Sequence, residues 1–323
     1  MAYQAGDTIL DDEYNTFVTS SSDPFGYNHF AGTGSTVYGL GQTELQAVTG
    51  GSTTIAASHW NGLITGMINI ANHTNDSLTA RTAVAAGDTI AIKSAIAADL
   101  ATLAASVAAG SPNATALTTS SALQTVTTAS EGWDSTATHE VRATFANGNN
   151  ARFFFNAGGK LRINVDTVAA ATSDKDTAFA DLGTAIGNLD IASLATTRSG
   201  SGETLTTDGL ARGFQDLTTS YQTIIKLTSD NSNYDSNFIE ISAKTEGGNG
   251  NSGDATAVTI KMVASDAAAD TQFQSSNLSS APVDVKDTPK MRTKLISITP
   301  NTDQGLGTAY GLSATSTESN STS

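Results

Sequence analysis

The clearest hydrophobic pattern in the chain lies between Thr54 and His73. There Trp60, Leu63, Ile64, Met67 and Ala71 fall at i, i+3, i+4, i+7 and i+11, one face of an α-helix. Ser58 stands where an N-cap is expected, with a short extended lead-in ahead of it. The same pattern recurs through the first third of the chain. Residues 8–17 read TILDDEYNTF, 54–63 read TIAASHWNGL and 89–98 read TIAIKSAIAA. The first two carry an aromatic followed by asparagine, Tyr14-Asn15 and Trp60-Asn61, whereas the third has Ala95-Ile96 at that place.

In the first unit, Asp11, Asp12 and Glu13 suit the positive end of a helix dipole, and Leu10, Tyr14, Phe17 and Val18 form its apolar face. Residues 20–50 follow as a long, glycine-rich loop carrying Phe25, Tyr27, Phe30 and Tyr38. A loop of that length is usually functional or packed on a partner. The third unit shows a helical stripe of Ile92, Ile96, Leu100, Leu103 and Val107, stopped by Gly110-Ser111-Pro112. The Ser/Thr/Ala-rich stretch 110–130 reads as a linker.

From about residue 137 the period changes to two. THEVRATF, ARFFFN (151–156) and KLRINVD (160–166) predict a three-stranded meander with turns at 146–150 and Gly158-Gly159. Ser173 and Asp176 form a capping-box pattern ahead of a helix through Phe179, Leu182, Ile186 and Leu189. Further strands are expected near 220–228, 237–245, 255–264 and 290–299. The polar end, SATSTESNSTS, reads as disordered or as ordered only by a neighbour. The whole predicts an α+β protein with three parts. The first is a helix-containing N-terminal region (1–118) with three short strand/helix units and a long loop. The second is a mainly antiparallel, sandwich-like β half (119–300) with one inserted helix. The third is a polar tail (301–323).

Composition narrows the function. The 323 residues are rich in Ala, Gly, Ser and Thr, and aromatics make up only 6%. Small side chains suit thin β-layers or extensive subunit contacts, where burial is shared between chains. A formal charge of −15 without any basic run argues against a nucleic-acid partner, and no apolar run approaches membrane-span length. With no cysteine there is no disulfide, thiolate or cysteine-zinc chemistry, and no Sec-type signal is expected at the N-terminus. The Asn-x-Ser/Thr triplets at Asn72, Asn75, Asn113, Asn277 and Asn320 therefore carry little weight as glycosylation sites.

Candidate chemistry is sparse. His29, His59, His73 and His139 lack zinc-ligand spacing, and His139 and Glu140 on one strand point to opposite faces. The pairs Gly32/Gly34 and Gly305/Gly307 lack a phosphate-loop context and read as turn glycines; G-x-S-x-G is absent. Asp230, Asn231, Asn233 and Asp235 faintly suggest a calcium loop, but the glycine and distal glutamate of an EF-hand are missing, so a solvated turn is the expectation. No catalytic residue, metal or cofactor is expected, and the chain reads as a non-enzyme.

Two stretches together resemble virion structural proteins of tailed bacteriophages, especially marine and cyanobacterial ones. The first is the lead-in with its aromatic-Asn helix, GDTILDDEYNTF and GSTTIAASHWNGL; the second is ARFFFNAGGKLRINVD at 151–166. YQTIIKLTSDNSNYDSNFIEISAKT is similar to a later strand pattern of the same proteins. The resemblance implies helices ahead of a β-rich half, with an FFNAGG hairpin before a further helix. It implies a structural subunit of the tail, neck or baseplate, assembled with copies of itself and other virion proteins from host cytoplasm. Phe25, Tyr27, Phe30, Tyr38 and Trp60 are the expected assembly contacts. A fibre or head-decoration protein that binds a host-surface glycan is the alternative, and a particle-borne hydrolase the third.

Overall fold

A computed structural model describes residues 11–22, 25–32, 38–49, 55–85, 93–109, 117–169, 173–268, 288–301 and 310–320. The lead-ins at 6–10, 54 and 89–92 lie outside these residues, as do Gly34 and the Gly305/Gly307 pair. The protein is α+β: helices in the N-terminal part and two antiparallel sheets in the rest. The chain divides into two compact units. One comprises 1–118, 149–159 and 299–310; the other comprises 119–148, 160–298 and 311–323.

The first unit is built on α1 (Asp11–Thr19), α2 (Tyr27–Ala31), α3 (Ala57–Thr74) and α4 (Lys93–Ala108). Their apolar stripes are buried as their spacing predicts: Tyr14, Phe17 and Val18 from α1, Trp60, Leu63, Ile64, Met67 and Ala71 from α3, and Ile96, Leu100, Leu103 and Val107 from α4. The N-cap of α3 is Ala56, not Ser58, which sits inside the first turn. His59 Nδ1 accepts from the Ala56 N–H at 3.0 Å, so a ring nitrogen satisfies the N-cap residue's own N–H, a different group from the first-turn N–H that a hydroxyl would take.

The stretch 151–156 is not a strand. It belongs to α5 (Gly148–Asn156), whose Ala151, Phe154 and Phe155 bury one helical face at i, i+3 and i+4. Gly158 ends it with φ +88°, while the Gly158 and Gly159 N–H groups return to the carbonyls of Phe155 and Phe154. Three consecutive phenylalanines have no period-two alternation, and the glycines that suggested a hairpin serve as a helix stop.

The second unit holds two sheets. The five-stranded sheet runs β1 (Leu117–Thr127), β10 (Met291–Pro300), β3 (Lys160–Thr167), β4 (Leu189–Ile191) and β5 (Thr196–Arg198) in spatial order. The six-stranded sheet runs β11 (Ser313–Asn320), β2 (Thr136–Thr144), β9 (Ala257–Ser265), β8 (Phe238–Glu246), β7 (Gln222–Thr228) and β6 (Thr204–Asp208). The expected meander is therefore absent, because β2 and β3 enter different sheets. The segment read as a linker contains β1. The polar tail forms β11, paired along its length with β2 of its own chain.

The sheets meet across an interior where His139 of β2 contacts Thr293 Oγ1 of β10 at 2.9 Å. Helix α6 (Asp174–Ile186) packs on β3 and on β7 and β8. It opens with the expected capping box: Ser173 Oγ accepts from the Asp176 N–H, and Asp176 Oδ2 accepts from the Ser173 N–H. Trp133 anchors the core nearby, edge-on to Phe179 and donating its indole N–H to the Pro289 carbonyl. The alternation along β2 puts His139 inside and Glu140 on the outer face.

Candidate functional site

Two features of the second unit present chemistry outward. The first is an open edge. β1 and β11 are the terminal strands of their respective sheets, and side chains join them: Gln124 Nε2 donates to Ser316 Oγ at 2.8 Å, and Glu318 Oε1 accepts from the Ala129 N–H at 2.7 Å. Ser120 and Ser297 hydroxyls tie β1 to β10. Along β11, Ser313, Thr315, Thr317 and Ser319 are exposed and alternate with half-buried residues. An edge strand carries unpaired backbone N–H and C=O groups, and proteins commonly blunt such edges with lysine, proline or a bulge. Neither LTTSSALQTVT nor SATSTESN contains lysine or proline, and β11 pairs with β2 without a register shift.

The second is the outer face of the six-stranded sheet. Register places Glu140 beside Lys261, and Arg142 beside Thr259, which in turn lies beside Lys244. Tyr221, just ahead of β7, reaches across this face and donates its hydroxyl to Glu140 at 2.7 Å. Lys261 and Lys244 Nζ lie 4.2 and 4.7 Å from its ring centroid. Glu246 accepts from Arg142 at 2.8 Å and from Thr259 Oγ1 at 2.6 Å, and these bonds hold its carboxyl below the usual range. Burial and the adjacent Glu140 push the Tyr221 phenol up, so it stays protonated and donates. Lys226 lies 3.6 Å from the Phe238 ring centroid on the same sheet. An acidic chain thus gathers cations around aromatic rings on one face. Part of the signal was present in the strands, where Lys244 and Lys261 fall on the half-buried outward positions, but their meeting at one ring depends on register.

The residues expected to make assembly contacts lie elsewhere. Tyr27, Phe30 and Trp60 are buried in the first unit's own core, and Phe25 and Tyr38 pack against it. Trp60 lies edge-on to Tyr14, and Phe25 stacks on His29 at 4.0 Å. Tyr27 donates to Gln42, and burial pushes its phenol up to about 12. Their grouping satisfies the unit itself, so the 20–50 segment is packed where described and is not an arm.

The same segment reveals a third aromatic-Asn pair. Asn15, Asn28 and Asn61 each follow a buried aromatic, Tyr14, Tyr27 and Trp60. Each grips one distant residue by both backbone groups. Asn15 holds Val48, Asn28 holds Leu45 and Asn61 holds Val84, the amide donating to the carbonyl and accepting from the N–H at 2.7–2.9 Å. Helix α4, which lacks the pair, uses Asp99 instead to accept from Thr79 and Arg81. These asparagines hold loop backbone that has no strand to pair with.

An open cleft of about 570 Å³ beside α3 is lined by Tyr27, Gln42, Asn61, Thr65 and Asn69, with no charged side chain. The Asp230–Asp235 segment closes on itself: Asn231 Oδ1 accepts from the Asn233 N–H, and the Asp230 N–H is taken by Glu203. Burial and the charges of Asp230 and Asp181 raise the Glu203 carboxyl. Among the described residues no three His, Asp or Glu side chains converge as a metal site, and no helix is long and apolar enough to cross a membrane. Compared with known proteins, the chain matches no family model, no curated protein and no solved structure.

Proposed function

We propose that the chain is a structural subunit of a bacteriophage particle, in the tail, neck or baseplate, working by repetitive self-assembly with copies of itself and other virion proteins. The observation that carries this reading is the unblunted edge of β1 and β11, whose open backbone groups are a template for another strand. The motif resemblance at 6–17, 51–63 and 151–166 supplies the phage context. The proposal assigns no catalysis, cofactor, nucleic-acid or membrane role. It is tested by negative-stain electron microscopy and solution mass of the purified protein. Rings, tubes or filaments are expected, and Thr315→Lys with Thr317→Lys is expected to abolish them while leaving the fold intact. A monodisperse monomer that resists proteolysis in dilute solution would count against it.

A second reading, a fibre or head-decoration protein that binds a host-surface glycan, draws on the Tyr221 face. An aromatic ring flanked by Lys244 and Lys261 suits an acidic sugar. Glycan-array binding lost in Tyr221→Ala would favour it; no binding to any glycan would remove it.

A further inference from the structure

Beneath the 230–237 loop lies a buried set of groups that neither reading uses. Lys175, in the first turn of α6, is wholly buried and places Nζ 2.7 Å from Asp266 Oδ2. Asn237, also wholly buried, donates its amide Nδ2–H to the other oxygen of the same carboxylate, Oδ1, at 2.9 Å. The Asn237 carbonyl oxygen accepts two backbone N–H groups, from Ala267 and Ala268, both at 2.8 Å. Tyr234 covers the set, with its ring centroid 5.7 Å from Lys175 Nζ. The backbone of Asn237 is fixed as well: its N–H donates to Tyr234 and its carbonyl accepts from Ser229.

We propose that Lys175 and Asn237 join in an intramolecular isopeptide bond, with Asp266 as the acid–base group. An amine nucleophile and the nitrogen that must leave sit on the two oxygens of one carboxylate, which can take a proton from the first and deliver one to the second. The two N–H groups on Asn237 Oδ1 stand where negative charge develops during attack at Cγ, an oxyanion-hole arrangement. A simple ion pair between Lys175 and Asp266 requires neither the asparagine nor the paired donors on its oxygen.

The step balances as follows. The Lys175 ammonium gives one proton to Asp266. The Nζ lone pair forms the bond to Asn237 Cγ, and the C=O π pair moves to Oδ1, held by the Ala267 and Ala268 N–H groups. Asp266 delivers its proton to Nδ2 and takes a second from Nζ. The Oδ1 pair then re-forms the C=O as the Cγ–Nδ2 bond breaks. The products are one secondary amide, one ammonia and a protonated Asp266; nothing is oxidised or reduced. The bond ties the start of α6 to the start of β8, beside the end of β9, where the two strands part. This chemistry is independent of whether the chain assembles or binds glycan.

Intact-mass spectrometry of the full chain after prolonged incubation tests the proposal, with peptide mapping of the digest. The expected result is a mass one ammonia below that of the sequence and a branched peptide joining Lys175 to Asn237. Lys175→Met, Asn237→Ala and Asp266→Ala are each expected to show the full mass, with circular dichroism confirming that they fold. A folded wild-type chain at full mass would overturn the proposal. So would an ammonia-light chain whose digest holds only linear peptides, because asparagine cyclisation loses the same molecule. A chain one water lighter, with Lys175 joined to Asp266, would overturn Asn237 as the electrophile.

Discussion

The two units of this protein hold their backbones by different means. In the second unit, backbone pairs with backbone: β2 lies in unbroken register with β9 on one side and β11 on the other. Among the described residues of the first unit the connecting segments have no strand beside them, and side chains supply partners. Asn15, Asn28 and Asn61 each satisfy one N–H and one C=O, and Asp99 does similar work for the 79–81 turn. A long segment can thus be well packed without secondary structure, provided that a few amides anchored beside buried aromatics take its polar groups. Ladder stability is spread over many equivalent bonds, whereas the helical unit concentrates it at a few side chains.

That contrast can be broken most severely at the aromatic anchors. Trp60→Ala removes the largest buried side chain of the helical unit, touching both Tyr14 and Phe17, and is expected to cost about 3–5 kcal/mol. Denaturant unfolding measures the loss, and hydrogen exchange should rise across α1 and α3 before it rises in β8 and β9.

In the β unit the matching weak point is a single buried group. Burial pushes His139 down to about 4, so the native protein keeps it neutral where the unfolded chain protonates it. Its contribution is present above the ordinary value of 6.5 and is lost as pH falls toward about 4, a total on the order of 3 kcal/mol. The stability difference between wild type and His139→Leu should therefore change across that window and stay constant above it.

Asn61→Ala is expected to cost about 2 kcal/mol, since it strands both backbone groups of Val84. Asn61→Asp should keep acceptance from the Val84 N–H and lose donation to its carbonyl, so its melting temperature should fall between those of wild type and the alanine variant. Smallest is the contrast between helix starts. Ser173→Ala removes a true cap and should cost about 1 kcal/mol, while Ser58→Ala, inside the first turn of α3, should change the melting temperature little.

Local chemistry made much of this fold legible. The stripes of α1, α3 and α4, the capping box of α6, and the alternation of β2, β3 and β7–β10 are patterns that neighbouring residues set among themselves. The candidate site was less legible. The edge strands β1 and β11 are Ser/Thr-rich, β1 exposed on both faces and β11 alternating only between exposed and half-buried, mostly polar residues, so they lack the apolar alternation that announces a strand. The Tyr221 cluster depends on the register of four strands, and no local pattern fixes which lysine lies beneath which ring.

By itself, the sequence determined the α+β order, the helix faces, the one working cap and the acidic, cysteine-free character of the chain, because periodicity and composition act over a few residues. Only the tertiary structure decided that 148–156 is a helix and that the polar tail completes a sheet. It also decided that Tyr27, Phe30 and Trp60 face their own core. Asn61 finds Val84 at a separation of 23 residues, and Lys175 finds Asp266 at 91. Such partners are chosen by the path of the whole chain, where burial compels each polar group to find whatever complement packing brings within reach.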